Sequence, residues 1–347
     1  MASSGSSTRG ALVISLDFEL HWGVRDRMKA DGPYSRNLFG ARSAVPRMLR
    51  LFQEFDVSAT WATVGFLFAR NRDELMDFAP SERPRYHNVQ LDPFRESIGR
   101  NEAEDPLHFA PSLLETIRAA GRQEIASHTF SHYYCLEPGQ DAAAFRADLT
   151  SARNIALSTL GVNLRSLVLP RNQFNPAYAA IIQEAGFLCC RGNQSGSIYA
   201  ASDFESASAL FRRAARLADA HLPLVPDCLP SWQHVSGGAP LCDVQASRYL
   251  RPWNPHLSVL DPLRAHRIMA GMRAAARNSR LYHLWWHPHD FGAHLDESIA
   301  FLSRILTEFR ALRDEFGFQS MSMAEVTESA SRFAAAVTDP APFEAAR

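Results

Sequence analysis

The stretch ALVISLDFEL, residues 11–20, sets the reading of the whole chain. Residues 11–16 form a short apolar run, fit for a buried strand and far below the ~18–20 apolar residues of a membrane span. The run ends in Asp17, Phe18 and Glu19. On an ideal strand Asp17 and Glu19 share a face. Acids flanked by Phe18 and Leu20 at the end of such a strand need a cation, a metal or a raised pKa.

The pattern recurs downstream. Residues 57–63 (VSATWAT), 124–127 (EIAS), 165–169 (RSLVL), 187–191 and 281–286 (LYHLWW) read as further strands. Between them, helical spacing of apolar residues predicts helices over 43–56, 111–120, 141–160, 176–185, 204–218, 261–277 and 294–312. A last helix begins near Met323, and Pro46 suits the first turn of the 43–56 helix. Repeated β–α alternation implies parallel strands with helices outside, as an α/β barrel or a doubly wound sheet. No G-x-G-x-x-G follows the first strand, which removes the usual support for a dinucleotide fold. One domain is expected over 11–335, with loose tails at 1–10 and 336–347. Segments 72–110 and 219–258 lack clear periodicity and are the candidates for lids or binding loops.

With 36 basic and 37 acidic residues, the chain has a formal net charge of −1. That balance argues against a general nucleic-acid binder, which would carry a basic excess. It also gives no electrostatic reason to sit on an anionic membrane. The five cysteines are odd in number and form no C-x-x-C pair, so neither a disulfide framework nor a thiolate zinc site is expected. No membrane span and no secretory leader is visible, so the expected location is the cytoplasm.

The chemistry-bearing residues fall where the strands end. Asp17 and Glu19 end the first, His128 and His132 follow EIAS, Arg171 follows RSLVLP, and His287 follows LYHLWW. In parallel α/β architectures that edge is where active sites form. His128-Thr129-Phe130-Ser131-His132 is an H-x-x-x-H pair; on a helical turn both imidazoles reach one ion, and a carboxylate would complete the set. His283 lies inside its strand and reads as a core or supporting residue. Trp285 and Trp286 point to opposite faces, so at most one approaches the site. Trp22 and Trp61 are sugar-stacking candidates whose commoner use is core packing. Residues 247–253 (SRYLRPW) mix cations with aromatics, suited either to an anionic or phosphate-bearing glycan carrier or to a plain solvated loop.

Taken in order, S-L-D-F-E, H-T-F-S-H, L-P-R-N-Q and L-W-W-H-P-H resemble the polysaccharide deacetylases with a NodB-type homology domain, the carbohydrate esterase family 4 group. The resemblance implies a distorted (β/α) barrel, a divalent metal, often zinc, and hydrolysis of N-acetyl groups on glycans. Carried over by motif, Asp17 matches the catalytic base, and Glu19, His128 and His132 match the metal ligands. Arg171 matches the arginine that holds the base, and His287 the general acid. His289 is the alternative acid. Trp22, Asn172, Gln173, Arg251, Trp286 and His289 are the candidate substrate contacts.

There are departures from the family pattern. Glu19 is one methylene longer than the usual aspartate. Asn172 and Gln173 replace the proline–tyrosine that normally follows the motif arginine. The residue that tunes the late histidine has no clear counterpart. The expected substrate is a carbohydrate or glycolipid bearing an N-acyl sugar. A hydrolase of another small amide or ureide, and a catalytically silent glycan-binding protein of the same fold, are the competing readings.

Overall fold

The structure is a computed structural model that describes residues 9–199, 209–237 and 241–338. Its strands are β1 (Ala11–Phe18), β2 (Ala59–Thr63), β3 (Gln123–Ser127), β4 (Ser166–Leu167), β5 (Cys189–Cys190), β6 (Cys242–Asp243), β7 (Arg248–Tyr249), β8 (Leu281–Trp286) and β9 (Gln319–Met321). They form one sheet in the order β6-β5-β4-β3-β2-β1-β8-β7, with β9 added beside the start of β1. All pairings are parallel.

The sheet curls towards closure. Residues 244–247 carry the chain directly from β6 to β7 across the remaining gap. On one side Val244 and Ala246 donate backbone hydrogen bonds to Cys190 and Gly192; on the other Ser247 and Leu250 donate to His283 and Trp285. The segment expected to be a structureless loop is therefore the closing edge of a barrel. This is the distorted β/α barrel expected from the sequence.

Helices follow the strands as the alternation requires. They are α1 (Ser35–Phe55), α2 (Arg72–Asp77), α3 (Pro111–Ala119), α4 (Ala142–Leu160), α5 (Ala179–Glu184), α6 (Ala209–Asp219), α7 (Trp232–Ser236), α8 (Asp261–Arg277), α9 (Leu295–Phe316) and α10 (Met323–Thr338). β1 is buried at every position, as a parallel strand covered on both faces must be. Phe52 from α1 meets Trp61 of β2 and Trp286 of β8, each with ring centroids 6.3 Å apart. This joins helix and sheet in one core.

Two expectations about the helices change. α1 begins at Ser35, so Pro46 lies inside it. There it removes one backbone donor, a cost offset by the buried stripe Leu38, Ala41, Val45, Met48 and Phe52. The expected helix at 204–218 is found as α6; residues 204–208 lie outside the described residues, as do most of the expected tails. Among the described residues no helix is long and apolar enough to cross a membrane.

α1 also fixes the turn that follows β8. Tyr34 donates to Asp290, and Asn37 donates to the His289 carbonyl. Gly40 lies so close to the Gly292 backbone that a Cβ there would collide with it. Gly40→Ala should therefore push the 287–292 turn off α1 and cost about 1–3 kcal/mol of stability, an overpacking effect. Urea unfolding measures it, and an unchanged midpoint would show that the turn is not held by this contact.

Candidate active site

At the carboxyl end of β1 the chain leaves the sheet through Leu20, which takes a left-handed conformation (φ 47°). Asp17 and Glu19 are both 4 % exposed. Each buried carboxylate has its own partners. Arg191, directly after β5, grips Asp17 with two parallel bonds of 2.6 and 2.7 Å. Burial works to raise the Asp17 pKa, but Arg191, His128 and His287 together hold it below the usual value. Arg191 is itself set by Ser15 Oγ at 3.0 Å, Asn172 Oδ1 at 2.9 Å and the face of Trp285 at 4.2 Å. His283 supports the same chain: its Nε2 lies 2.8 Å from Ser15 Oγ and its Nδ1 donates to the Val244 carbonyl.

The arginine on Asp17 is thus Arg191, a residue the sequence reading missed, and not Arg171. Arg171 pairs with the buried Asp26 and lies 4.4 Å over the Tyr134 ring. Tyr134 in turn meets His132 edge-on at 5.1 Å. Arg171 therefore backs the histidine side of the site. Both arginines follow apolar strands, and only the barrel's curvature decides which one reaches β1.

Glu19 Oε2 sits 3.2 Å from His128 Nε2 and 3.0 Å from His132 Nε2, and the three residues form a buried set able to hold a metal ion. The proton inventory supports a cation here. His128 Nδ1 faces the Val168 carbonyl at 2.9 Å and must donate to it. In the neutral ring Nε2 then presents a lone pair to a carboxylate oxygen. Two acceptors at that distance need a metal cation or an added proton between them, and a carbonyl on the far nitrogen is the usual support of a metal-bound imidazole. Burial lowers the His132 pKa to about 4, favouring the neutral ligand form. The residues fit a divalent ion.

The pair does not arise from a helical turn. Thr129 (φ 63°) and His132 (φ 57°) are left-handed, and the loop is held from below by Asp148 of α4. That buried carboxylate accepts from the Phe130 amide at 2.7 Å, the Ser131 amide at 3.1 Å and the Ser131 hydroxyl. Burial pushes Asp148 up to about 6 against those three donors. Its signal was in the sequence: an acid on the Phe145–Leu149–Ala152 face of a helix is on the wrong side for solvent.

His287 faces both carboxylates, 3.9 Å from Asp17 and 3.6 Å from Glu19 through Nε2. Its Nδ1 bonds Asp290 at 2.9 Å. Burial works to lower its pKa, but Asp290, Glu19 and Asp17 outweigh this and raise it to about 10. Tyr249 and Tyr34 hydroxyls donate to Asp290, at 2.6 and 3.3 Å. Burial disfavours the Asp290 anion, yet His287, with His289 and the Tyr249 hydroxyl, brings it down to about 2. Asp290 is thus the residue that tunes the late histidine.

The candidate substrate contacts divide. A cavity of about 570 Å³ opens beside His287 and is lined by Asn172, Tyr249, Arg251 and Trp285 among others. Trp286 is fully buried and stacks on Phe291 at 5.8 Å; strand alternation turns Trp285 to the cavity in its place. Trp22 is 1 % exposed, packed on Phe66 at 4.4 Å and donating to the His108 carbonyl, so it is core. Trp61 is core as well. Gln173 is buried, bonding Glu137 and the Leu136 amide. His289 is buried beneath His287, with ring centroids 4.9 Å apart and planes 19° from parallel.

Glu19 keeps its extra methylene because of Gly23. A Cβ at that position would collide with the Glu19 carboxylate. Gly23→Ala should therefore leave the metal-free fold intact by circular dichroism yet weaken zinc binding by about tenfold or more, the scale seen when a ligand's support is lost. Equal zinc affinity in calorimetry would refute the account of Glu19.

Known proteins can be set beside this geometry. The family model described as "Polysaccharide deacetylase" matches residues 31–189. Among solved structures, a putative polysaccharide deacetylase from Mycobacterium smegmatis superposes with a TM-score of 0.60 at 16% identity, covering 95% of this chain and 93% of that one. A probable polysaccharide deacetylase from Pseudomonas aeruginosa PAO1 gives 0.52 at 12% identity, covering 95% and 96%. At such identities the structures speak for the fold alone. No curated protein matches the chain.

Proposed function

We propose that this chain, whose residues 31–189 belong to the polysaccharide deacetylase family, is a metal-dependent hydrolase that removes an N-acyl group, acetyl foremost, from a sugar. The observation behind this reading is that Asp17 and His287, 3.9 Å apart, lie together beside the Glu19–His128–His132 set, with His287 3.6 Å from Glu19.

Glu19, His128 and His132 would hold a divalent ion, zinc by their donor set, which would supply a water of lowered pKa and a Lewis acid for the acyl oxygen. Asp17 is the base. Its carboxylate takes a proton from the attacking water, and Arg191 keeps it ionised and aimed. His287 is the acid. It enters the reaction as an imidazolium, because Asp290 and the two carboxylates favour that form, and gives its Nε2 proton to the leaving amine as the C–N bond breaks. The products are a carboxylic acid and the free amino sugar. Asp290 returns the ring to the right tautomer by holding Nδ1–H. Buried His289 and Trp286 shape the turn but do not meet substrate.

Acetate release from N-acetylated oligosaccharides by the zinc-loaded chain tests the reading. Asp17→Asn should retain zinc and lose turnover by about 100-fold or more, the scale of positioned proton transfer. Undiminished turnover in that variant, or a wild-type chain that binds no stoichiometric divalent ion, would overturn it. Formate or ammonia release in place of acetate would redirect the reading to a different amide.

The acid also gives a pH signature. His287 must be protonated to act, and Asp290 raises its pKa. Removing that anion lowers it, so activity should be lost at a lower pH. In Asp290→Asn the basic limb of the kcat/KM profile should therefore move down by about one pH unit or more. A basic limb that stays in place would remove His287 from the role of acid.

A further inference from the structure

The cavity beside His287 holds charge of one sign. Among the described residues its lining includes Arg216, Arg248 and Arg251 and no acid. Arg248 spends its two terminal nitrogens on Asp219 and Asp227 behind the wall. Gln194 also lines the cavity, is 6 % exposed, and leaves its Nε2 donor without a partner. A buried N–H with no acceptor costs about 1–3 kcal/mol, so the Gln194 amide is a donor that a ligand oxygen would satisfy. Arg251 adds a cation at the same wall, 5.7 Å over the Tyr249 ring. Tyr249 and Trp285, with ring centroids 4.7 Å apart, supply the flat apolar surface on which a sugar ring stacks.

From these observations we infer that the cavity is a subsite for an anionic group, a carboxylate or a phosphate, on the saccharide next to the acyl group that is cut. The proposal rests on the deacetylase reading for the position of the scissile bond, but the donors stand independently of it. The site is then polarised along its length. The carboxylates Asp17 and Glu19 hold the metal end, and the guanidinium and amide donors hold the other. A substrate with its acyl group at one end and an anion at the other has a single productive orientation. A neutral glycan offers no charge to Arg251 and gains less.

Three probes separate the cases: a neutral chitotetraose, a hyaluronan tetrasaccharide carrying carboxylates, and UDP-N-acetylglucosamine carrying phosphates. With the zinc-loaded full chain, kcat/KM for at least one anionic probe should exceed that for chitotetraose by about tenfold or more, the scale of a hydrogen bond to a charged group. The probe that gains distinguishes carboxylate from phosphate. Arg251→Gln should cut that ratio several-fold, Arg251→Lys should restore part of it, and added salt should shrink it. Gln194→Leu, which keeps the cation, should lower the ratio as well. Equal or better use of chitotetraose, or a ratio untouched by both Arg251→Gln and Gln194→Leu, overturns the proposal. Binding of each probe to the zinc-loaded Asp17→Asn chain, read by calorimetry, keeps the two readings apart. Selective binding of an anionic probe with no wild-type turnover on any probe would sink the deacetylase reading and spare the subsite. Turnover without anion preference would do the reverse, and neither binding nor turnover of an anionic probe sinks the subsite too.

Discussion

Two buried carboxylates side by side at the end of one strand are the constraint around which the barrel's open end is organised. Asp17 and Glu19 lie two residues apart, each 4 % exposed. Buried like charges so close are unstable unless each has its own counter-charge. The structure answers each one separately. Asp17 receives a fixed guanidinium. Glu19 receives two imidazoles, at 3.2 and 3.0 Å, in a set able to hold a metal ion. His287 faces both, and Asp290, Glu19 and Asp17 raise its pKa against the effect of burial. Remove any one of these positive partners and the remaining charges no longer balance, which is why the groups act as a unit.

The outer supports follow from the same constraint. Arg191 can serve Asp17 only if its own plane is fixed, and Ser15, Asn172 and Trp285 fix it. The H-x-x-x-H loop can aim both rings only if its two left-handed residues are stabilised, and Asp148 does this from α4 through two amides and a hydroxyl. The β8 turn can present His287 only because α1 grips it through Tyr34, Asn37 and the Gly40–Gly292 approach. Each support comes from a different element, so the site exists only in the closed barrel.

This explains what the sequence could show. Strand ends are local, so Asp17, Glu19, His128, His132 and His287 were legible from apolar runs that stop at a polar residue. β8 was legible to the residue, because LYHLWW is bounded by Arg280 and His287. β4 and β5 are two residues each, shorter than the apolar runs 165–169 and 187–191. Partnership across the barrel is not local. Arg171 and Arg191 look alike in sequence, each a cation after an apolar strand, and the choice between them depends on how far the sheet has curled by β5. Trp285 and Trp286 pose the same problem in another form: alternation says that they face apart, but the side of the sheet that holds the core is a tertiary fact.

The closing segment carries the argument to the cavity. Residues 244–250 donate backbone hydrogen bonds to the carbonyls of Cys190 and Gly192 on one side and of His283 and Trp285 in β8 on the other, so the segment has little freedom to move without opening the barrel. Arg248, Tyr249 and Arg251 sit on it or at its end, facing the space beside His287. A stretch that looked in sequence like a solvated mixture of cations and aromatics is thereby made rigid, and rigid donors cost less to engage with a ligand than mobile ones. Tyr249 links the two roles directly. Its ring forms part of the cavity wall, and its hydroxyl donates to Asp290, the anion that sets the proton affinity of His287. The closure of the barrel, the wall of the cavity and the strength of the acid thus depend on one short piece of chain.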